Sequence, residues 1–170
     1  LANVEVDTYN VSRVTMGIHP QNFTWNLNPN ETFETPEAVL VYSQNGLSGM
    51  SQVFHNLYGK RLAHGIWRDR PRPILINNWE GTYFDFNEKK ILEICKATKE
   101  IGAEMFVLDD GWFGKRNSDT AGLGDWTVNK KKLPGGMRKL AQDINALGLR
   151  FGLWFEPECV NPDSDLYRVH

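Results

Sequence analysis

Cysteine, excess charge and long apolar runs are all scarce in this sequence of 170 residues. Cys95 and Cys159 are its only cysteines, which excludes a disulfide-dense scaffold and indicates two unpaired thiols in a reducing compartment. The formal net charge is −2, so no basic surface for nucleic acid or an anionic membrane is indicated. No apolar run is long enough to span a bilayer. We therefore expect neither nucleic acid nor a membrane as a partner, and a cytoplasmic location.

What is present is typical of a globular protein. Hydrophobic residues make up 41% of the chain and charged residues 24%, which argues against disorder. The chain starts at Leu1 rather than at methionine, and it stops at His170 without a recognisable tail. We expect both ends to be cuts, so that the sequence is a piece of a longer protein.

The first part of the chain has the pattern of β structure followed by a helix. "VEVDTYNVSRVTMGI" alternates apolar and polar residues as a half-buried strand does, and "EAVLVYS" is a second strand candidate. "LSGMSQVFHNLYGKRL" then places Met50, Phe54 and Leu57 on one face of a predicted helix. Ser48 or Ser51 could cap that helix.

A different pattern begins near Arg70, where Pro71 and Pro73 predict an extended link. Three short apolar runs follow, in "RPILINN", "EMFVLDD" and "RFGLWFE". Two amphipathic helices separate them, and Asn87 and Gly102 are the predicted N-cap and end of the first. Apolar strands alternating with helices predict an α/β fold with a parallel sheet.

Two architectures fit this order, a doubly wound open sheet and a (β/α)8 barrel. No G-x-G-x-x-G motif follows the first strand, which disfavours a dinucleotide-binding fold. A closed barrel needs eight strand–helix units, whereas only three strands are indicated here. A barrel would therefore be incomplete within this chain.

Aromatic and carboxylate residues follow all three predicted strands, in "NNWEG", "LDDGWFG" and "LWFEPE". Ligands meet the carboxyl ends of the strands in either architecture, so these residues should share one rim. Flat rings stack on the C–H faces of a pyranose, and carboxylates accept hydrogen bonds from its hydroxyls. The pattern predicts a sugar site. Its candidate residues are Trp79, Glu80, Asp109, Asp110, Trp112, Trp154, Glu156 and Glu158.

Simpler interpretations exist for each feature. Asp-Asp-Gly can be only a turn, a tryptophan can belong to the core, and Glu156 or Glu158 can be solvated or paired with an arginine. Carboxylates could bind a metal, but no histidine accompanies them, and we expect no metal or other cofactor. The shared bias of all three strand ends favours the sugar site. The long loop after the second run, residues 113–136, is expected to be ordered and to line this site through Trp126.

A family resemblance covers the chain from about residue 60 to residue 170. "LDDGWFGKRNSDTAGLGDW", "KLPGGM" and "GLRFGLWFEPE", preceded by "RPILINNWEGTYFDF", resemble the retaining α-galactosidases of glycoside hydrolase family 36. The resemblance implies that residues 1–60 are the C-terminal part of an N-terminal β-sandwich domain with its linking helix. It also implies that residues 61–170 are the first three strand–helix units of a (β/α)8 TIM barrel.

The resemblance also implies an activity, the removal of terminal α-linked galactose from oligosaccharides such as melibiose and raffinose. Carried over by motif, Asp109 and Asp110 would bind the galactose hydroxyls at positions 4 and 6. Trp79 and Trp154 would line the sugar pocket. The expected partner is thus a galacto-oligosaccharide. The family tends to form oligomers, so a homo-oligomer of the full-length protein is an option.

The catalytic residues are expected outside this chain. A retaining glycosidase needs a nucleophile and an acid/base, and the family's nucleophile lies in a motif like "KWD" on the fourth strand. No "KWD" occurs here, so both catalytic residues are expected beyond His170 and the chain alone is expected to be inactive. Asp110 and Glu158 would be a catalytic pair on the residues alone, but the resemblance disfavours this. Trp112 and Glu158 are instead candidates for supporting roles.

Other functions remain open at this point. A related α-N-acetylgalactosaminidase or a galactosyl transferase that makes raffinose sugars would carry the same motifs. A non-catalytic sugar-binding module would share the aromatic and carboxylate pattern without the reaction.

Overall fold

A computed structural model describes all residues from Leu1 to His170. They form two compact units, Leu1–Arg70 and Pro71–His170. None of the helices combines the length and the apolar composition that a bilayer crossing requires.

The first unit begins with a β-hairpin. Strand β1 (Ala2–Val6) pairs antiparallel with strand β2 (Ser12–Met16). The alternating stretch is thus two strands rather than one, because the Asp7 carboxylate accepts hydrogen bonds from the backbone N–H groups of Tyr9 and Val11 and closes a turn. Every residue of both strands is exposed, so the buried face that the alternation predicts is absent.

Helix α1 (Gly46–Leu57) is the long helix of the first unit. A π-helical turn, Tyr58–Leu62, continues it, and a 3-10 turn, Gly65–Trp67, follows. Met50 and Phe54 on the predicted apolar face are half-buried, but no residue of the helix is fully buried.

Two further predictions about this unit are wrong. Residues 37–43, the "EAVLVYS" segment, form no strand, because no neighbouring segment pairs with them. The helix begins before Ser48 and Ser51, so neither serine is its cap. Asn45 occupies the N-cap position and makes no capping hydrogen bond with its side chain.

A three-stranded parallel sheet is the centre of the second unit. Its strands are β3 (Leu75–Asn77), β4 (Met105–Leu108) and β5 (Arg150–Leu153), with β4 in the middle. Phe106 of β4 lies opposite Phe151 of β5. The predicted α/β class with a parallel sheet is confirmed.

Two long helices connect these strands. Helix α3 (Glu88–Glu100) starts as predicted, because the Asn87 side chain accepts a hydrogen bond from the backbone N–H of Lys90 at 3.0 Å. Ile101 is an apolar residue at the end of this amphipathic segment, and it is 72% exposed because it lies at the C-cap. Helix α4 (Gly136–Ala146) follows β4 and packs against β5 and α3.

Two short helices complete the second unit. Helix α2 (Trp79–Thr82) directly follows β3 and has no counterpart in the sequence prediction. Helix α5 (Asp165–Val169) follows β5. The Ser164 side chain caps α5 by accepting a hydrogen bond from the backbone N–H of Tyr167.

The hydrophobic core lies entirely in the second unit. It joins the central strand to the inner faces of α3 and α4 and to the loop after β4. Its buried members are Phe86, Ile91, Cys95, Phe106, Leu108, Trp112, Phe113, Leu123, Leu133, Leu140, Ile144 and Leu149.

Candidate functional site

The ends of β3 and β4 bring a set of polar side chains together. Asn77 is the last residue of β3, and its side-chain amide donates a hydrogen bond to the carboxylate of Asp109, which directly follows β4. The side-chain oxygen of Asn78 accepts the backbone N–H of Asp109 at 2.9 Å. Neighbouring parallel strands thus place their terminal residues in direct contact, as their order predicts.

Asp109 is held in a single orientation. It is 9% exposed. Its Oδ1 atom accepts a hydrogen bond from the backbone N–H of Asp110 at 2.7 Å, and its Oδ2 atom accepts one from the side-chain amide of Asn77. A carboxylate has about four acceptor positions, so these two bonds leave acceptor capacity on both oxygens.

Asp110 forms a buried ion pair with Arg116. The guanidinium donates from Nε to both carboxylate oxygens at 3.0 Å and from Nη2 to Oδ2 at 2.8 Å. The two side chains are 7% and 5% exposed, respectively. Bidentate pairs of this kind are strong and geometrically specific. Of the two aspartates, one is therefore locked in an ion pair, and the other is buried against an amide rather than facing solvent.

Arg116 also orders the long loop after β4. Its Nη1 atom donates to the backbone oxygens of Asp119 at 2.8 Å and Ala121 at 3.2 Å, and to the side-chain oxygen of Asn161 at 3.1 Å. Asn161 lies beyond β5, so one guanidinium joins the loops that follow two neighbouring strands.

Trp79 lies next to this polar cluster. Its backbone N–H donates to the side-chain oxygen of Asn77 at 3.0 Å, the same amide group that contacts Asp109. The ring meets Tyr83 and Phe84 edge-on, with centroids 5.2 and 5.1 Å away. Because Trp79 is only half-buried, part of its surface stays open for a ligand.

A second group of rings surrounds Trp154 at the end of β5. The Trp112 indole N–H donates to the Trp154 backbone oxygen at 3.0 Å, and Trp112 is 2% exposed. Trp126, from the long loop, packs 6.3 Å from Trp154 and 4.5 Å from Phe113. The Trp112 ring packs against the rings of Phe113, Trp126 and Phe155, so it has no open face for a ligand. Trp154 itself is half-buried.

The glutamates are not brought into the polar cluster. Glu158 is exposed, and no hydrogen bond or ion pair joins it to Asp109 or Asp110. Glu80 accepts a hydrogen bond from the Tyr83 hydroxyl at 3.1 Å. Glu156 hydrogen-bonds the exposed Cys159 thiol and thereby raises the pKa of that thiol.

Both cysteines are free thiols, as predicted. Cys95 is buried in the core, and this burial raises the pKa of its thiol to about 12. No group of three or more histidine, cysteine, aspartate or glutamate side chains is arranged to hold a metal ion.

A protein-family model described as melibiase matches residues 32–170. The chain belongs to the melibiase family. Its curated relatives include α-galactosidase AgaA of Geobacillus stearothermophilus, 61% identical over 170 residues, and an α-galactosidase of Lactobacillus acidophilus, 52% identical over 167 residues. The matches cover 100% and 98% of this chain but 23% of each relative. The chain thus spans about a quarter of the length of these relatives.

Solved structures agree with this membership. The structure of AgaA, a family 36 α-galactosidase, matches with a TM-score of 0.88 at 60% identity, covering 99% of this chain and 24% of AgaA. The galactosidase domain of an α-galactosidase–sucrose kinase matches with a TM-score of 0.87 at 43% identity, again over 99% of this chain and 24% of its own. Variants of AgaA have been crystallised with stachyose and with raffinose. The resemblance to glycoside hydrolase family 36 is confirmed.

The sequence patterns did not indicate several residues that contact this candidate site. Asn77 and Asn78 stand in the quoted "NNWEG" motif, where the amides next to the tryptophan were a usable signal. Arg116 gave no signal, because nothing in a loop sequence indicates which carboxylate an arginine will meet. Lys132 donates a hydrogen bond to the Gly111 backbone oxygen at 2.9 Å, but it stands in a run of three lysines, which is typical of a solvated surface.

Proposed function

We propose that these 170 residues are part of a retaining α-galactosidase and hold the galactose-recognition side of its active site. In this proposal residues 61–170 are the first three strand–helix units of a (β/α)8 barrel, and residues 1–60 end a β-sandwich domain. The parallel order β3–β4–β5 and the family membership support it. The nucleophile and the acid/base are proposed to lie outside these 170 residues.

One observation carries the proposal: two adjacent carboxylates are fixed at the end of the central strand with acceptor capacity left over. Asp109 accepts one protein hydrogen bond on each oxygen, and Asp110 Oδ1 accepts only the Nε–H of Arg116. Neither is arranged as a simple turn residue, because both are buried, Asp109 accepts a hydrogen bond from Asn77, 32 residues away, and Asp110 is paired with the Arg116 guanidinium. Two fixed acceptors at the end of one strand suit the hydroxyls at positions 4 and 6 of one galactose.

This arrangement accounts for a preference for galactose over glucose. The hydroxyl at position 4 is axial in galactose and equatorial in glucose, so a rigid acceptor placed for one orientation is left unpaired by the other. An unpaired buried polar group makes discrimination large. Trp79 and Trp154 are proposed to supply the flat walls of the pocket, with Trp112 supporting Trp154.

The proposed hydrolysis requires a nucleophile and an acid/base in addition to the residues described. In a double displacement, a carboxylate attacks the anomeric carbon while an acid protonates the leaving oxygen, and water then releases the sugar. The role proposed for this chain is to orient galactose for that attack. Correct orientation can supply a large part of the rate enhancement, so loss of these contacts should reduce turnover as well as binding.

Asparagine substitutions in the complete protein test the proposal. We expect Asp109→Asn and Asp110→Asn each to lower kcat/KM for a nitrophenyl α-galactoside about 10- to 100-fold or more, because each removes a charged hydrogen-bond acceptor. Asp143→Asn, on the surface of α4, is the matched control and should leave kcat/KM unchanged. Wild-type kcat/KM in both active-site variants would refute the proposal.

A further inference from the structure

Lys132 contacts three separate segments around the candidate site. Its ammonium donates hydrogen bonds to the backbone oxygens of Phe84 at 2.9 Å, Gly111 at 2.9 Å and Arg116 at 3.4 Å. It also lies 4.7 Å from the centroid of the Phe86 ring. An ammonium has three N–H donors, so all of them are used on these carbonyl groups.

The position of Lys132 differs from that of its neighbours in the run of lysines. Lys130 and Lys131 are exposed, whereas Lys132 is half-buried. No hydrogen bond joins the ammonium group of Lys130 or Lys131 to another residue. Lys132 therefore differs in its environment from both adjacent lysines, and only its ammonium is hydrogen-bonded to the protein.

Each of the three acceptors belongs to a segment that carries part of the candidate site. Gly111 directly follows Asp110. Phe84 lies after α2, and its ring packs 5.1 Å from that of Trp79. Arg116 holds the Asp110 carboxylate. One ammonium thus joins the segments that carry the carboxylates and the tryptophan.

The packing at Gly111 leaves little room for adjustment. Its φ of +95° is one that residues with a side chain rarely adopt, and a Cβ atom there would lie 3.0 Å from the Phe84 ring and 3.3 Å from Lys132 Nζ. The backbone after the paired aspartates is therefore closely packed against both the lysine and the segment after α2.

We infer that Lys132 is a positioning residue, whose ammonium sets the distance between the Asp109–Asp110 pair and Trp79 without contacting the sugar. The inference rests on the proposed function, because it assigns Lys132 to the same galactose site. A loss of the ammonium would release the turn at Gly111 from the segment at Phe84. Misplacement of binding groups by about 1 Å can cost about 100-fold in rate.

The charge of Lys132 provides a readout that a purely structural role would lack. Burial lowers the pKa of Lys132, while the nearby carboxylates of Asp110 and Asp85 raise it in opposition. Asp110 and Asp85 are thus the charged groups that act on Lys132, and each has a cationic partner of its own, Arg116 for Asp110 and Lys90 for Asp85. The neutral amine has two donors for three carbonyl groups, so galactose affinity should fall as pH rises through this lowered pKa.

The test uses the complete protein that contains these residues, with galactose as the ligand and a nitrophenyl α-galactoside as the substrate. We expect Lys132→Met to weaken galactose binding about 10- to 100-fold by calorimetry at 25 °C and to lower kcat/KM by a similar factor. Lys132→Arg retains charge and donors and should recover part of this loss. Lys131→Met is the matched control and should behave as wild type.

The pH dependence of galactose affinity still tests the inference if Lys132→Met does not fold. In Lys132→Arg the decline of galactose affinity at high pH should move upward relative to wild type, because a guanidinium keeps its proton. An active wild-type protein with unchanged affinity in Lys132→Met, or with the same high-pH decline in Lys132→Arg, would overturn this inference alone. A wild-type protein that neither binds galactose nor cleaves the galactoside would overturn the proposed function as well.

Discussion

The two compact units of this chain differ in how far they bury apolar and charged side chains. No residue between Leu1 and Arg70 is buried, although the hairpin carries alternating valines and α1 has an apolar face. The second unit buries twelve residues in one hydrophobic cluster and also buries an ion pair. The same kinds of sequence pattern thus lead to a packed core in one unit and to exposed surface in the other.

This difference shows under which condition an amphipathic pattern leads to burial. A pattern specifies which face of a helix or strand is apolar, but burial needs a second element that covers it. In the second unit the central strand β4 is flanked by β3 and β5, and α3 and α4 pack against the resulting sheet. The first unit contains a two-stranded sheet and one long helix, which give its apolar faces no comparable cover.

The largest expected difference in stability is between two arginine–carboxylate pairs, one in each unit. In the 170-residue chain, Arg116→Met should lower the free energy of unfolding by about 3–5 kcal/mol, because it leaves the buried Asp110 charge without its partner. Arg13→Met breaks a pair in the hairpin whose side chains are 64% and 50% exposed, and it should cost less than about 1 kcal/mol. Urea titration followed by tryptophan fluorescence measures both. Equal losses would break the contrast between the units.

Leucines in the two long helices give the next test. Leu140→Ala in α4 removes a fully buried side chain and should cost about 2–5 kcal/mol in the same titration. Leu47→Ala in α1 truncates an exposed side chain and should change stability by no more than about 0.5 kcal/mol. A large loss from Leu47→Ala would show that α1 is packed more closely than the structure describes.

Helix caps give the smallest expected effect. Asn87→Ala should cost about 1 kcal/mol, because it removes the side-chain acceptor for the Lys90 backbone N–H of α3. Asn45→Ala, at the equivalent position of α1, removes no capping bond and should be close to neutral. Thermal denaturation of both variants measures the difference, and a reversed order would contradict the assigned caps.

Much of the second unit could be predicted from sequence because its signals are local. The period of "DFNEKKILEICKATKEIGA" and the cap at Asn87 depend on residues a few positions apart. Asp109 and Asp110 could be selected because they directly follow an apolar strand, and parallel strands end at a common edge. Helix α2 was missed, since four residues, Trp79–Thr82, are too few to show a helical period.

The partners of the site residues could not be predicted, because they come from distant parts of the chain. Asn77 reaches Asp109 across 32 residues, and Lys132 reaches Phe84 across 48. The sequence indicated that Asp110 would accept hydrogen bonds from a ligand. It left open whether Glu156 or Glu158 would pair with an arginine. The structure instead pairs Asp110 with Arg116.

The sequence by itself determined the α/β class, the family and the choice of Asp109, Asp110, Trp79 and Trp154 as candidate residues, because these follow from periodicity and from motifs of adjacent residues. Only the tertiary structure decided that Asp110 is paired with Arg116 and that, of three adjacent lysines, Lys132 donates a hydrogen bond to the Gly111 backbone oxygen. The physical reason is that side-chain partners depend on how loops and segments pack in three dimensions, which no local pattern encodes.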